Sequence, residues 1–112
     1  MGKQNIEHVE LKSITISPNA IKQGKDITIT TRYVIKDGTG SGTLVREQIS
    51  ILKGSKEISV ILDNENIVKN GEWENFLTVG IPKTLTKGKY EIKVRFSTSH
   101  SGAENSTSFV VK

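Results

Sequence analysis

Apolar side chains recur at every second position through most of this chain, and that period constrains its fold more than any other feature. Ile27, Ile29, Thr31, Tyr33 and Ile35 share one phase, with Thr28, Thr30 and Arg32 in the other. Tyr90, Ile92, Val94 and Phe96 repeat the pattern, with Glu91, Lys93 and Arg95 between them. Successive side chains on a strand point to opposite faces, so this alternation describes half-buried strands. Composition agrees. The 112 residues include 14 Ile, 9 Val and 11 Thr against 2 Ala. Such stiff side chains are penalised in helices and suit a pleated sheet.

Several more segments read as strands. Val9 and Leu11 share one phase and Ile14 and Ile16 the other. The switch at Lys12-Ser13 predicts a bulge at which the first strand crosses between sheets. Ser17-Pro18-Asn19 ends it. A third strand runs through Val45, Ile49 and Ile51. A fourth, Glu57 to Leu62, has Ile58, Val60 and Leu62 in its apolar phase and stops at Asp63-Asn64-Glu65-Asn66. Asn70-Gly71 reads as a type I′ hairpin turn. The strand after it places Trp73, Asn75, Leu77, Val79 and Ile81 on one side and Phe76 on the other. Ser97 to Ser106 reads as a polar loop before a last strand through Phe109 and Val111.

About seven strands at roughly ten-residue intervals, with no amphipathic helix, predict one all-β domain over 1–112, ordered from about residue 6. Two antiparallel sheets packed as a sandwich are the expected architecture, with a small barrel as the competing one.

Leu85-Thr86-Lys87-Gly88-Lys89-Tyr90-Glu91-Ile92 resembles the E–F corner of immunoglobulin-like and fibronectin III-like sandwiches. In those folds a tyrosine folds back to bond the backbone just upstream. Ile14-Thr15-Ile16-Ser17-Pro18 and Gly24-Lys25-Asp26-Ile27-Thr28-Ile29 are similar to the A–B region of bacterial immunoglobulin-like modules, adhesion-related ones among them. The chain has no Cys. Ile92 stands where the second Cys of an antibody domain would be, and Ile29 where the first would be. The resemblance therefore implies the broad bacterial group, whose fold does not fix a function.

Chemistry is sparse. The lack of cysteine excludes disulfides, thiol catalysis and thiolate metal sites. His8 and His100 have no third ligand at a useful spacing and are expected to be exposed, without a metal. Asp63-Asn64-Glu65-Asn66 lacks the further ligands and glycine of a calcium loop and reads as a turn. Glu72 and Glu74 flank Trp73 on one strand face and read as a solvated edge rather than an acid–base pair. No helix follows Gly38-Thr39-Gly40-Ser41-Gly42, so it is a connection, or a binding loop at one end of the sandwich, and not a phosphate cradle. Asn105-Ser106-Thr107 matches a glycosylation sequon, a tripeptide frequent by chance. Only Phe76, of six aromatics, falls in a polar phase, which argues against a sugar-stacking platform.

The net charge of +4 rests on 13 Lys and only 3 Arg. Lysine spread along strands protects sheet edges more than it reads nucleic acid. Lys89, Lys93 and Arg95 form an outward stripe, interrupted by Glu91, which Arg32 would extend if its strand were adjacent. The expectation is a non-catalytic structural or protein-interaction module of a larger bacterial cell-surface or secreted protein. It would need no cofactor and insert in no membrane; nucleic acid and small-molecule substrates are not its expected partners. The alternative is an accessory domain that recognises an acidic glycan or protein through Lys89, Lys93 and Arg95. Met1-Gly2-Lys3-Gln4-Asn5 lacks the apolar core of a signal peptide, so the chain either stays inside the cell or, the favoured reading, is cut from a longer exported chain.

Overall fold

Two sheets pack face to face in the computed structural model, which describes residues 7–36 and 42–112. Eight strands occur among these residues: β1 (His8–Ser17), β2 (Ala20–Ile21), β3 (Asp26–Lys36), β4 (Thr43–Lys53), β5 (Lys56–Val68), β6 (Gly71–Gly80), β7 (Gly88–Ser97) and β8 (Gly102–Val111). One sheet has the order β1-β3-β6, the other β2-β8-β7-β4-β5. The result is an all-β, immunoglobulin-like sandwich. Pairing is antiparallel except between β2 and β8, which run parallel.

The core follows the alternation. Ile27, Ile29, Tyr33 and Ile35 of β3 and Tyr90, Ile92, Val94 and Phe96 of β7 are all buried and face one another across the sandwich. Ile29 and Ile92, which the immunoglobulin resemblance sets at the two cysteine positions, belong to the same cluster. Burying an aliphatic or aromatic side chain of this kind contributes about 1.5–3 kcal/mol, and sixteen such residues among those described, eight of them Ile, form the core without a disulfide.

Five local expectations are corrected. A register shift does occur between Leu11 and Ser13, but β1 stays paired with β3 on both sides of it. The chain changes sheet later, across Pro18-Asn19, where β2 begins to pair with β8. Asp63-Asn64-Glu65-Asn66 is no turn; β5 runs through it. An edge strand with little of its inner face covered tolerates polar residues that a central strand would not. Val60, expected inside, is exposed with Ile58. A register shift against β4 between Ile49 and Ser50 places Val60 beside the outward-facing Ser50.

Asn70-Gly71 joins β5 of one sheet to β6 of the other, so it is a crossover and not a hairpin. Only glycines take positive φ among the described residues, so Asn70 cannot form a type I′ turn, whereas Gly71 sits at φ +142°. The last loop is short, since β8 already begins at Gly102.

The expected tyrosine corner is present. Tyr90 Oη–H donates to the Thr86 carbonyl at 2.7 Å, and its ring stacks on Phe109 with centroids 5.7 Å apart. Lys53 Nζ lies 5.0 Å from the Tyr90 centroid and closes this end of the sandwich.

Candidate ligand-binding cleft

At the opposite end the sheets do not close. The three-stranded sheet contributes Tyr33 on β3 with Trp73 and Asn75 on β6; Tyr33 and Trp73 are register partners. The five-stranded sheet contributes Val45 and Glu47 on β4 and Phe96 on β7. Residues 66–69, at the end of β5, form the rim. Between them lies a cleft of about 300 Å³. Such a volume is at the lower end of small-molecule sites.

Alternation on β4 dictates the arrangement. Thr43, Val45, Glu47, Ile49 and Ile51 all point inward, so Glu47 enters the core in an apolar phase. It is 9% exposed. Its bonding partner is Asn75, whose Nδ2–H donates to Glu47 Oε1 at 3.4 Å and to Tyr33 Oη at 3.4 Å. Burial pushes the Glu47 carboxyl above the ordinary carboxylate range, and the Asn75 bond opposes this. Burial likewise raises the Tyr33 hydroxyl.

The aromatic walls are fixed by contacts of their own. Tyr33 stacks on Phe96 with centroids 4.3 Å apart. Trp73 is 40% exposed, and its Nε1–H donates to the Lys69 carbonyl at 2.8 Å. With that donor engaged, the indole offers a ligand chiefly its face.

The residues singled out in the sequence lie elsewhere. Lys89, Lys93 and Arg95 do share the outer face of the five-stranded sheet, and Lys93 Nζ is 2.9 Å from Glu104. That pairing holds the Glu104 carboxyl below its usual range. Arg32 belongs to the other sheet and does not extend the stripe. It contacts Glu72 at 2.9 Å and Glu74 at 3.7 Å, so those carboxylates form an exposed ion-pair cluster. Asp63 is held bidentate by Arg46, both bonds at 2.9 Å, which lowers its pKa.

His100 Nδ1 lies 2.8 Å from Glu7, which also accepts from Ser99. His8 is exposed. No group of three or more His, Cys, Asp or Glu is placed to hold a metal ion among the described residues. Phe76 is 67% exposed on the outer face of β6. Asn105 is exposed on β8. Positions 37–41 of the glycine-rich loop lie outside the described residues.

Sequence reasoning placed Asn75 and Trp73 in an inward phase but took neither as part of a site, and it missed Glu47. The available signal was a charged residue two positions from each of two core residues, Val45 and Ile49.

No protein family matches the sequence, and no curated protein matches it. Solved structures do resemble it in shape. One is a Paenibacillus sp. cycloisomaltooligosaccharide glucanotransferase complexed with cycloisomaltoheptaose, with a TM-score of 0.66 and 10% identity over 90% of this chain. The present chain spans only 14% of that enzyme. Another is a Niemann-Pick type C2 protein from the Japanese carpenter ant, with a TM-score of 0.61 and 14% identity, covering 99% of this chain and 94% of that one. At these identities the likeness concerns the fold alone.

Proposed function

We propose that the chain is a non-catalytic binding module of a larger bacterial cell-surface or secreted protein, and that it makes contact through the open end of its sandwich. The observation that carries this reading is the cleft, where a buried carboxylate and an exposed indole face meet beside an otherwise closed core. A carboxylate in such surroundings costs stability unless something bonds it. A site retained at that cost is more readily understood as a binding site than as packing. The module reading is supported by the glucanotransferase, in which a region of this shape is a small part of a long chain. The non-catalytic reading is supported by the carboxylates themselves. Glu72 and Glu74 are tied to Arg32, and among the described residues Glu47 has no second carboxylate beside it in the cleft.

The basic face is less well supported as a docking surface. Glu91 interrupts it and Glu104 pairs Lys93, so its field is partly cancelled. The two readings separate in a fragment screen on isotopically labelled protein. Fragments that bind, drawn from alkylammonium, sugar and neutral apolar classes, are expected to shift backbone and side-chain resonances of Tyr33, Glu47, Trp73 and Asn75. Shifts that avoid these four residues and gather on Lys89, Lys93 and Arg95 would overturn the proposal.

A further inference from the structure

Glu47 is the side chain that packing explains least. It is more than nine-tenths buried, yet its bonding partner is a neutral amide at 3.4 Å. No cation lies within 4.0 Å of it among the described residues, and no charged group lowers its pKa. Lys69 reaches the rim of the cleft, but it forms no ion pair with Glu47. The Asn75 amide already donates to both Tyr33 and Glu47, so it has little further capacity to compensate the charge.

Each class of ligand has a different consequence for that carboxylate. An anion would be repelled. A neutral apolar group would shield the acid from solvent and offer it no bond beyond the one from Asn75. A sugar would bond it but leave its charge uncompensated. An organic cation neutralises the charge where the dielectric is low and the attraction strong. The walls suit the same ligand, since the Trp73 face and the Tyr33 ring attract a cation and accommodate its carbon stem.

Resting on the reading of the cleft as a binding site, we propose that it takes an alkylammonium group. The nitrogen lies against the Glu47 carboxylate and the alkyl stem lies along Trp73 and Tyr33. Two sources share this chemistry, a free alkylamine and the lysine side chain of a partner protein. Lys69 is expected to compete weakly from the rim.

The test is a titration of the whole chain, read by Trp73 fluorescence (Trp73 is the only tryptophan) and by the Trp73 Nε1–H resonance. The probes are n-butylammonium, N-acetyl-lysine N-methylamide, the neutral isostere 1-pentanol, and isomaltose. The ammonium probes are expected to bind at least about tenfold more tightly than 1-pentanol, a difference of ~1.4 kcal/mol. Glu47→Gln, nearly isosteric, should remove that preference, Trp73→Leu should weaken both ammonium probes, and Lys69→Ala should bind them as tightly or more tightly. A response to n-butylammonium alone assigns the free amine; a response to both admits the lysine side chain.

Equal binding of 1-pentanol, tighter binding of isomaltose, or undiminished ammonium binding by Glu47→Gln would overturn the cation assignment while leaving the cleft as a site. Silence from all four probes would overturn both.

Discussion

The two ends of the sandwich are built from the same parts and behave differently. Each has a buried tyrosine stacked on a phenylalanine: Tyr90 on Phe109 at one end, Tyr33 on Phe96 at the other. At the Tyr90 end the hydroxyl donates a 2.7 Å bond to backbone, and Lys53 covers the ring. At the Tyr33 end the hydroxyl is bonded, among the described residues, by Asn75 alone at 3.4 Å, and an inward position of β4 holds a carboxylate. The first arrangement uses its polar atoms to finish the core. The second leaves them facing a cleft. A β-sandwich thus separates scaffold from site along the length of its own strands, with no change of architecture.

That contrast can be broken by mutation. The largest effect is expected for Tyr90→Ala, which should cost about 3–5 kcal/mol in urea denaturation. Tyr33→Ala should cost clearly less, since the space it vacates opens to the cleft and admits water. Equal losses would mean that the ends are equivalent. Removing the hydroxyls alone gives a smaller version of the same test. Tyr90→Phe should lose about 1 kcal/mol, with Tyr33→Phe below about 0.5 kcal/mol, because a 3.4 Å bond contributes little.

Glu47→Gln should act in the opposite direction. The folded carboxyl has a raised pKa, so its protonated form is favoured and the associated stability is complete below the unfolded value near 4.5. That stability is lost as pH rises through the folded value. The variant, which cannot ionise, should therefore melt a few degrees higher than the parent at pH 8 and equally at pH 3.5. A gap of the same size at both pH values would show that ionisation is not its cause. The smallest effect is expected at Arg32→Ala. Its ion pairs with Glu72 and Glu74 are exposed, and thermal melts should register less than about 0.5 kcal/mol.

The scaffold end was the legible end. Tyr90, its turn glycine and the alternation after it belong to one continuous segment, so local sequence carries the whole signal. The phases of β3, β6 and β7 were legible for the same reason. What escaped depends on partners distant in sequence. Nothing near Asn70-Gly71 says that β6 pairs with β3 across forty residues rather than with β5.

The inward turn of Val60 was misjudged because a register shift against β4, between Ile49 and Ser50, moves it to the other face. Asp63 reads as a turn until Arg46 on the neighbouring strand is known to hold it. The cleft was least legible of all. Its members come from five strands, and the one local sign was a glutamate in an apolar phase. The basic stripe, by contrast, was visible in full, but Glu104, which pairs with Lys93, comes from a strand whose pairing was not legible.

The central claim is that the Tyr33 end holds a buried carboxylate awaiting a cation. The most direct test is a titration of the Glu47 side-chain carboxyl by carbon-13 NMR, alone and with saturating n-butylammonium. The free protein should show a pKa above the ordinary carboxylate range, which the ammonium then lowers by at least one unit. An ordinary pKa in the free protein, unmoved by the ammonium, would contradict the account.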